Sequence, residues 1–299
     1  MRIIVLGAAA GGGFPQWNSA CPVGERAWRV DPAARWRTQC SVAISADGES
    51  WALLNASPDL RQQILATPAL HPKSGPRHSP IRSVVLTNGD VDHVAGLLSL
   101  RESQPFDLFA TGAILDVLAR NPIFDVLSPS YVTRHPLTLE QPAEILPGLH
   151  AVPFAVPGKI ALYLEDEGLN VGAETEDTIG LELRSDGARV GFVPGCARVT
   201  GALTERLHGA DVLFFDGTLW SDDEMIRSRT GIKTGARMGH ISVSGPEGSL
   251  AALRGLSLGR RIYLHVNNTN PMLLEDSPER ARVTAAGWEV AYDGMEIDL

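Results

Sequence analysis

The most informative part of this sequence is the polar segment Thr87-Asn88-Gly89-Asp90-Val91-Asp92-His93. An apolar run, Ser83–Leu86, precedes it and the small residues Val94-Ala95-Gly96 follow it, which predicts a buried strand, a tight turn and a helix start. The turn would gather two carboxylates and an imidazole at the end of the strand. Carboxylates this close repel each other unless a cation neutralises them or one takes a proton. The segment therefore favours a divalent-metal site, with an acidic helix cap as the alternative.

Three further segments place an ionisable side chain where an apolar run or a polar turn ends. The run Val212–Phe215 leads to Asp216, the run Arg261–Leu264 leads to His265, and a polar turn contains His240. Side chains at strand ends meet at one edge of an α/β fold, which is how such folds assemble sites. A satisfied core histidine remains the alternative for each residue taken singly. Surface or loop positions are predicted for the remaining histidines, His71, His78, His135, His150 and His208.

The composition is that of an ordinary globular chain and excludes several classes of function. The 299 residues are 44% apolar and 20% charged, and their formal net charge is −9. Strand-like and helix-like runs alternate throughout, which predicts one α/β domain over residues 1–299, with a lid or insertion at 121–178. The acidic balance argues against a nucleic-acid partner, and no apolar run is long enough to cross a membrane. Three widely spaced cysteines and a weak match to a signal peptide predict a cytoplasmic location.

Several motifs of the sequence resemble the metallo-β-lactamase superfamily and, within it, the coenzyme PQQ synthesis protein B family. The segment from Asn88 to His93 is similar to the H-x-H-x-D-H motif of the superfamily, with Asn88 and Asp90 in place of two histidines. Five other segments resemble the PQQ family in the same order: 11–18, 55–59, 96–102, 216–220 and 265–271. The resemblance extends over essentially the whole chain. It implies an αββα sandwich with a metal at one edge of its two sheets.

The resemblance also implies which residues hold the metal. It assigns the metal to Asp92, His93 and His265, with Asp90 or Asp216 completing the ligand set. Because Asn88 and Asp90 replace the histidines of the superfamily's first metal position, one metal is expected rather than two. His240 falls where a branch of the superfamily carries an acid/base histidine. We therefore take His240 and Asp90 as candidate catalytic residues.

Two histidines and one carboxylate with open coordination positions suit non-haem Fe(II) and oxygen chemistry. The resemblance implies the same chemistry, an iron-dependent hydroxylase that oxidises the tyrosine ring of a Glu–Tyr unit from the PQQ precursor peptide. We expect one divalent metal, with Fe(II) favoured over Zn(II), and O2 as co-substrate. Two alternatives stay open at this point: a zinc-dependent hydrolase of the same fold, and a non-catalytic carrier or transport factor for PQQ or its precursor.

The substrate contacts and a second metal site are predicted with less support from the residues. Arginine offers a bidentate fork and asparagine both donates and accepts, so we assign substrate binding to Asn88, Arg101, Asn267 and Asn268. The alternative is that Arg101 pairs with its helix neighbours and that the asparagines shape turns. Many family members resemble C-x-C-x-x-C where this chain has Ser19, Cys21 and Gly24, so no structural zinc is expected. A homodimer remains open.

Overall fold

The computed structural model describes residues 1–167 and 171–299, and it confirms the predicted α/β class. Within these residues the strands form two seven-stranded sheets. The first sheet contains, in spatial order, β14 (Glu296–Asp298), β1 (Arg2–Gly7), β2 (Ser41–Ser45), β3 (Trp51–Leu54), β4 (Ile81–Val85), β5 (Phe106–Thr111) and β6 (Val132–Leu137). The second contains β13 (Glu289–Val290), β12 (Arg260–Leu264), β11 (Val212–Asp216), β10 (Ala188–Val193), β9 (Ala173–Ser185), β8 (Leu149–Gly158) and β7 (Ala143–Leu146).

The helices of the described residues are short and lie outside the two sheets. They are α1 (Pro22–Trp28), α2 (Leu60–Ala66), α3 (Val91–Val94), α4 (Gly112–Ala119), α5 (Gly201–Leu207), α6 (Glu224–Arg227), α7 (Gly235–Met238), α8 (Ser249–Ala252) and α9 (Pro278–Ala285). Short 3-10 helices cover Pro68–Leu70, Ala95–Leu100, Pro122–Val126, Leu162–Glu167 and Pro271–Leu273. Thr111, Thr200 and Ser277 begin α4, α5 and α9 by accepting a backbone N–H bond with their side-chain oxygens.

The two sheets pack face to face and bury apolar side chains on both of their sides. In β1, Ile3 and Val5 enter the core between the sheets, while Ile4 enters the layer under α2 and α4. In β11, Phe214 faces the other sheet and Phe215 faces the outer helices. This alternation produces four layers, helix, sheet, sheet and helix. The αββα sandwich is therefore confirmed.

Parallel strands bring the functional loops to one edge of the sandwich. Strands β3 to β6 run parallel in the first sheet, and β10 to β13 run parallel in the second. The loop after β4 lies close against the segment after β3, because Gly96 N donates to Ala56 O at 2.8 Å. A Cβ on Gly96 would lie 2.1 Å from the Ser57 carbonyl oxygen, so only glycine fits there.

Residues 121–178 are more regular than the sequence predicts. They contain β6, β7, β8 and the start of β9, which form one edge of each sheet; residues 168–170 lie outside the described residues. The sequence does predict a strand over Gly148–Val156, which corresponds to β8, whereas β6 and β7 are not predicted. Pro136 lies in the edge strand β6, and Pro153 lies in a part of β8 that β7 does not pair. Over residues 1–167 and 171–299, no helix has both the length and the apolar character to cross a bilayer.

Candidate metal centre

The turn after β4 is held by hydrogen bonds of its own Asn88 and of Asn55, the residue that follows β3. Asn55 donates through Nδ2 to Thr87 Oγ1 at 2.9 Å and accepts from Thr87 N at 2.9 Å. Asn88 Oδ1 accepts from Asp90 N at 3.0 Å, and Asp90 precedes the first residue of α3 with extended backbone. These bonds fix the start of α3, so that Asp92 and His93 project from its first turn into the interior.

Asp92, His93 and His265 form the first cluster, in which the structure brings the three side chains together. His265 directly follows β12, and its Nε2 lies 2.9 Å from Asp92 Oδ2. The His93 ring stacks on the His265 ring with centroids 5.2 Å apart. One donor atom from each of the three residues lies within 4.8 Å of the others. His265 has a φ of 55°, a left-handed conformation that costs a non-glycine residue about 1–3 kcal/mol and is typical of functional sites.

The donor atoms of His93 show that this first cluster fits a metal ion. Both ring nitrogens of His93 are buried and have no hydrogen-bond partner among the described residues. An unsatisfied buried polar atom costs about 1–3 kcal/mol. A divalent cation between the three side chains would satisfy a His93 nitrogen and would accept the Asp92 carboxylate and the His265 Nε2 lone pair.

Asp216, His240 and His265 form a second cluster, which differs from the first because its side chains satisfy one another. Asp216 is fully buried at the end of β11. Its Oδ2 accepts from Cys196 N at 2.9 Å and lies 2.8 Å from His240 Nδ1. Its Oδ1 accepts from the N and Oγ1 of Thr218, at 2.9 and 2.6 Å. Asp216 and His240 therefore form a bonded carboxylate–imidazole pair.

The Thr218 hydroxyl connects the two clusters and determines the histidine tautomers. It donates to Asp216 Oδ1, the shortest of its contacts, and His265 Nδ1 lies 2.8 Å from the same oxygen. Because the single hydroxyl proton is used on Asp216, His265 must donate its Nδ1 proton to Thr218. Nε2 of His265 donates a second proton to Asp92 in the metal-free protein. Burial lowers the pKa of His265, but this hydrogen bond outweighs burial and raises that pKa. Nε2 is therefore the nitrogen that a metal ion would take, in exchange for its proton. Partners of this kind, outside the ligands, orient metal-binding histidines.

The electrostatics of the site keep both carboxylates ionised. Burial raises the pKa of Asp92, but the charge of His93 and the hydrogen bond from His265 outweigh it and leave that pKa low. Burial likewise raises the pKa of Asp216, and the charge and hydrogen bond of His240 outweigh it and lower the pKa. Burial lowers the pKa of His93 despite the opposing Asp92 charge, which favours the neutral imidazole. Ionised carboxylates and a neutral imidazole are the forms that bind metals.

A cavity of about 390 Å³ opens onto both clusters. That volume lies within the range of small-molecule sites. Its wall includes Asn88, Asp90 and Asn267, three of the residues predicted to take part in binding or catalysis. Asp90 lies in neither cluster, because its Oδ1 accepts from Leu162 N at 2.9 Å. It therefore supports the cavity wall rather than completing the first cluster.

Two predicted substrate contacts lie away from the cavity wall. Arg101 follows the 3-10 helix Ala95–Leu100 on the surface, where it donates to Leu98 O at 2.8 Å and pairs with Glu102. Asn268 is buried, and its Nδ2 donates to Gln16 Oε1 at 2.5 Å. For these two residues the alternative is the better account, a helix-neighbour pair for Arg101 and a turn-shaping role for Asn268.

The cysteines have local packing roles in the described structure. Cys21 begins α1, where its Sγ accepts from Gly24 N at 3.3 Å. Cys40 and Cys196 are buried, and burial raises the pKa of both thiols.

The cavity also contains functional candidates that the sequence does not single out. Lys159, Glu165 and Lys233 line it, and Thr218 connects the two clusters. Thr218 follows Asp216 in a recognised segment, but threonine is too common to stand out. The scarcity of lysine was the available signal, since the chain has three lysines and two of them are Lys159 and Lys233.

Comparisons with known proteins agree with this fold and site. Residues 50–266 match the β-lactamase superfamily domain. The chain is 55% identical to coenzyme PQQ synthesis protein B of Methylorubrum populi over 100% of both chains. It is 56% identical to coenzyme PQQ synthesis protein B of Xanthomonas oryzae, again over 100% of both.

Among solved structures, zinc-bound PqqB from Methylobacterium extorquens is similar with a TM-score of 0.99, 55% identity and 100% coverage of both chains. A diphosphatase of the PhnP family has a TM-score of 0.69 at 20% identity, over 100% of this chain and 97% of that one, and shares the fold. The zinc-bound relative and the two clusters together support a divalent metal at this edge of the sandwich.

Proposed function

This chain belongs to the coenzyme PQQ synthesis protein B family, and we propose that it acts in PQQ biosynthesis as a metal-dependent hydroxylase of a tyrosine ring. The proposed substrate is the Glu–Tyr unit of the PQQ precursor peptide, and the proposed metal is Fe(II). The buried ring nitrogens of His93, which have no hydrogen-bond partner within residues 1–167 and 171–299, carry this proposal, because they favour the first cluster as the metal site.

The three side chains of the first cluster would hold the ion on one face. Asp92, His93 and His265 supply one carboxylate and two imidazoles, a set that leaves coordination positions open and suits Fe(II) with O2. Bound there, Fe(II) supplies the one-electron steps that O2 activation needs. Because the Thr218 hydroxyl engages Nδ1, Nε2 is the nitrogen that His265 would offer the ion.

The bonded pair Asp216–His240 supports a role in proton transfer. His240 lines the cavity, and its Nδ1 lies against the ionised Asp216 carboxylate. With Nδ1 engaged, Nε2 is the nitrogen that remains to accept the phenolic proton of the substrate. Asp216 then stabilises the imidazolium that forms, as a carboxylate does for a catalytic histidine elsewhere. His240 is therefore the proposed base, and Asp216 orients it.

The reaction has a fixed balance that the assay must respect. One atom of O2 enters a ring C–H bond as a hydroxyl group, and the other leaves as water. Two electrons and two protons are needed for the second atom, so the assay contains ascorbate as reductant. The protein is loaded anaerobically with Fe(II), given Glu–Tyr dipeptide and ascorbate, and then exposed to O2. We expect one metal per chain, O2 consumption and a product one oxygen atom heavier.

Matched variants separate the two clusters in this assay. His93→Ala should lose the metal and the activity together, whereas His240→Gln should keep the metal and lose turnover. Lys73→Met changes an exposed lysine that pairs with Glu49, and it should leave both unchanged. Iron-loaded protein that consumes no O2 above the metal-free background, and forms no hydroxylated product, would refute the hydroxylase.

A zinc-dependent hydrolase is the second candidate, and the zinc-bound relative favours it. It predicts about two zinc ions per chain, because the second cluster would then bind metal as well. Turnover of an ester or phosphodiester that EDTA abolishes would select it over the hydroxylase. If His93→Ala keeps full affinity for PQQ and no turnover is found with either metal, the protein is a carrier.

A further inference from the structure

A second group of charged side chains lines the cavity, apart from the two clusters. Glu165 lies at its centre, in the 3-10 helix Leu162–Glu167. Its Oε2 accepts from Lys233 Nζ at 3.0 Å and from Arg237 Nη2 at 2.9 Å. Lys159 Nζ lies 3.4 Å from Glu165 Oε1. We call Lys159, Glu165, Lys233 and Arg237 the basic group.

The basic group carries more positive charge than its own carboxylate neutralises. Three cations face one carboxylate among the side chains that the structure describes, a surplus of two positive charges. The Lys159 side chain is only 10% exposed and that of Glu165 only 12%. Charges this deeply buried are normally matched by partners. The side chains of Lys233 and Arg237 are 33% and 39% exposed, so solvent shares their charge until an anion enters the cavity and displaces it.

Unused donors in the basic group show where such an anion would bind. Arg237 Nη1 is buried and has no hydrogen-bond partner among the described residues. Lys159 Nζ donates to Ile160 O at 3.1 Å, and an ammonium group has three protons to donate. The Glu165 ion pair and this carbonyl leave at least one Lys159 proton for a ligand. Lys159, which lines the cavity, can therefore donate to an oxyanion there without giving up Glu165, whereas Arg237 is not part of the cavity wall and serves to hold Glu165.

The use of lysine in this chain supports a binding role for the basic group. Only three of the 26 basic residues are lysines, and two of those three are Lys159 and Lys233. The third, Lys73, pairs with Glu49 on the surface. A lysine presents a compact charge on a flexible stem, so it can follow a ligand that enters and leaves.

The basic group lies next to the second cluster. The Lys159 stem packs on Gly239, where an added Cβ would lie 3.1 Å from Lys159 Cγ, and Gly239 is the residue before His240. Gly239 has a φ of 83°, which favours glycine for a second reason. Lys159 is further fixed because Thr178 Oγ1 donates to its carbonyl oxygen at 2.9 Å. One small molecule in the cavity can therefore reach both His240 and the Lys159 ammonium.

We propose that Lys159 and Lys233 form a subsite that binds a carboxylate group of the substrate, while Glu165, itself held by Arg237, keeps the two lysines in position. The proposal takes the nature of the substrate from the proposed function. It gives the substrate one orientation in the cavity, with the reacting ring at the two clusters and a carboxylate at the basic group. A single carboxylate would offset half of the surplus charge, and a dicarboxylate would offset all of it.

The test is a binding experiment on the Zn(II)-loaded full chain, in which no turnover takes place. Isothermal titration calorimetry compares the Glu–Tyr dipeptide with Gln–Tyr amide, an analogue that keeps the α-amino group but lacks both carboxylates. We expect Lys159→Met and Lys233→Met each to weaken dipeptide binding about tenfold or more, as expected for a hydrogen bond to a charged group. Binding of the amide should stay within about twofold, and Lys73→Met should resemble the wild type because exposed pairs contribute little.

Several results would overturn the proposal. If Lys159→Met binds the dipeptide as Lys73→Met does, the basic group only ties two loops together, and a lowered melting temperature would show this role. If Lys159→Met does not fold, binding to the wild-type protein still tests the proposal. Equal affinities for the dipeptide and the amide would then reject the subsite. Tighter competition by inorganic phosphate than by acetate would reject the assignment to a carboxylate.

Binding and turnover can fail independently, which separates this proposal from the proposed function. Charge-selective binding without hydroxylation would reject the hydroxylase and keep the subsite. Hydroxylation that proceeds equally well on dipeptide and amide would do the reverse.

Discussion

Replacing Thr218 by valine tests whether one buried hydroxyl prepares His265 to bind metal. Valine has nearly the shape of threonine but can neither donate to Asp216 nor accept from His265. In the wild type these contacts are 2.6 Å and 2.8 Å long. The substitution therefore removes hydrogen bonds from the second cluster and leaves the ligand side chains themselves intact.

The magnitude follows from what each partner keeps after the substitution. Asp216 Oδ1 retains the backbone N–H of residue 218 at 2.9 Å, so the carboxylate stays partly satisfied. His265 Nδ1 loses its side-chain acceptor, and the residue is only 5% exposed to solvent. The loss of such an outer partner typically costs about 10–100-fold in metal affinity. This corresponds to about 1.4–2.8 kcal/mol.

The assay is competition for Zn(II) between the protein and a chromophoric chelator at fixed pH. We expect the Kd of Thr218→Val to rise about 10–100-fold, and that of Thr218→Ser, which keeps the hydroxyl, to stay within about threefold of the wild type. Urea unfolding in EDTA checks that the metal-free variant still folds. If valine and serine variants bind zinc equally well, the hydroxyl does not set the His265 tautomer and the argument fails.

Two further predictions concern stability. His93→Phe should raise the unfolding free energy of the metal-free protein by about 1–2 kcal/mol, because it removes two unsatisfied buried nitrogens. The same variant should no longer be stabilised by added metal. A loss of stability in urea unfolding with EDTA would contradict this prediction. Burial raises the pKa of Glu224 from 4.5 to about 7, so the folded chain binds more protons in that range and its stability falls as pH rises through it. Relative to the wild type, Glu224→Gln should gain about 3 kcal/mol between pH 4 and pH 8, whereas the exposed Glu247→Gln should gain nothing; equal pH profiles for the two variants would refute the assignment.

The sequence predicts the part of the site in which the residue types themselves indicate the chemistry. Five ionisable side chains lie at the ends of apolar runs or in a polar turn, and the structure brings all of them together: Asp92, His93, Asp216, His240 and His265. β11 is buried along its whole length, and β4 and β12 are buried at their last three residues, so apolar residues lead up to the end of each strand and are easily recognised.

The features that sequence misses depend on tertiary position. The edge strand β6 contains His135 and Pro136, which read as a loop. Arg101 looks like a carboxylate ligand because arginine suits that role, but the 3-10 helix before it ends on the surface. The basic group unites residues 159, 165, 233 and 237, which come from two segments far apart in the chain. No local pattern could have joined them.

The residues that replace the superfamily's histidines explain why one ion is proposed rather than two. Asn88 Oδ1 accepts from Asp90 N at 3.0 Å, and Asp90 Oδ1 accepts from Leu162 N at 2.9 Å. Each side chain therefore has an oxygen committed to holding the loop, and neither belongs to a cluster of converging donors. An ion at that position would compete with bonds that support the cavity wall, whereas an ion at the first cluster satisfies His93, which has no hydrogen-bond partner among the described residues. Because this position holds Asp90 and not a histidine, its carboxylate positions Leu162, at the start of the 3-10 helix that carries Glu165. On the one-ion proposal, the residue that takes the place of a metal-binding histidine also supports the basic group, through a single hydrogen bond.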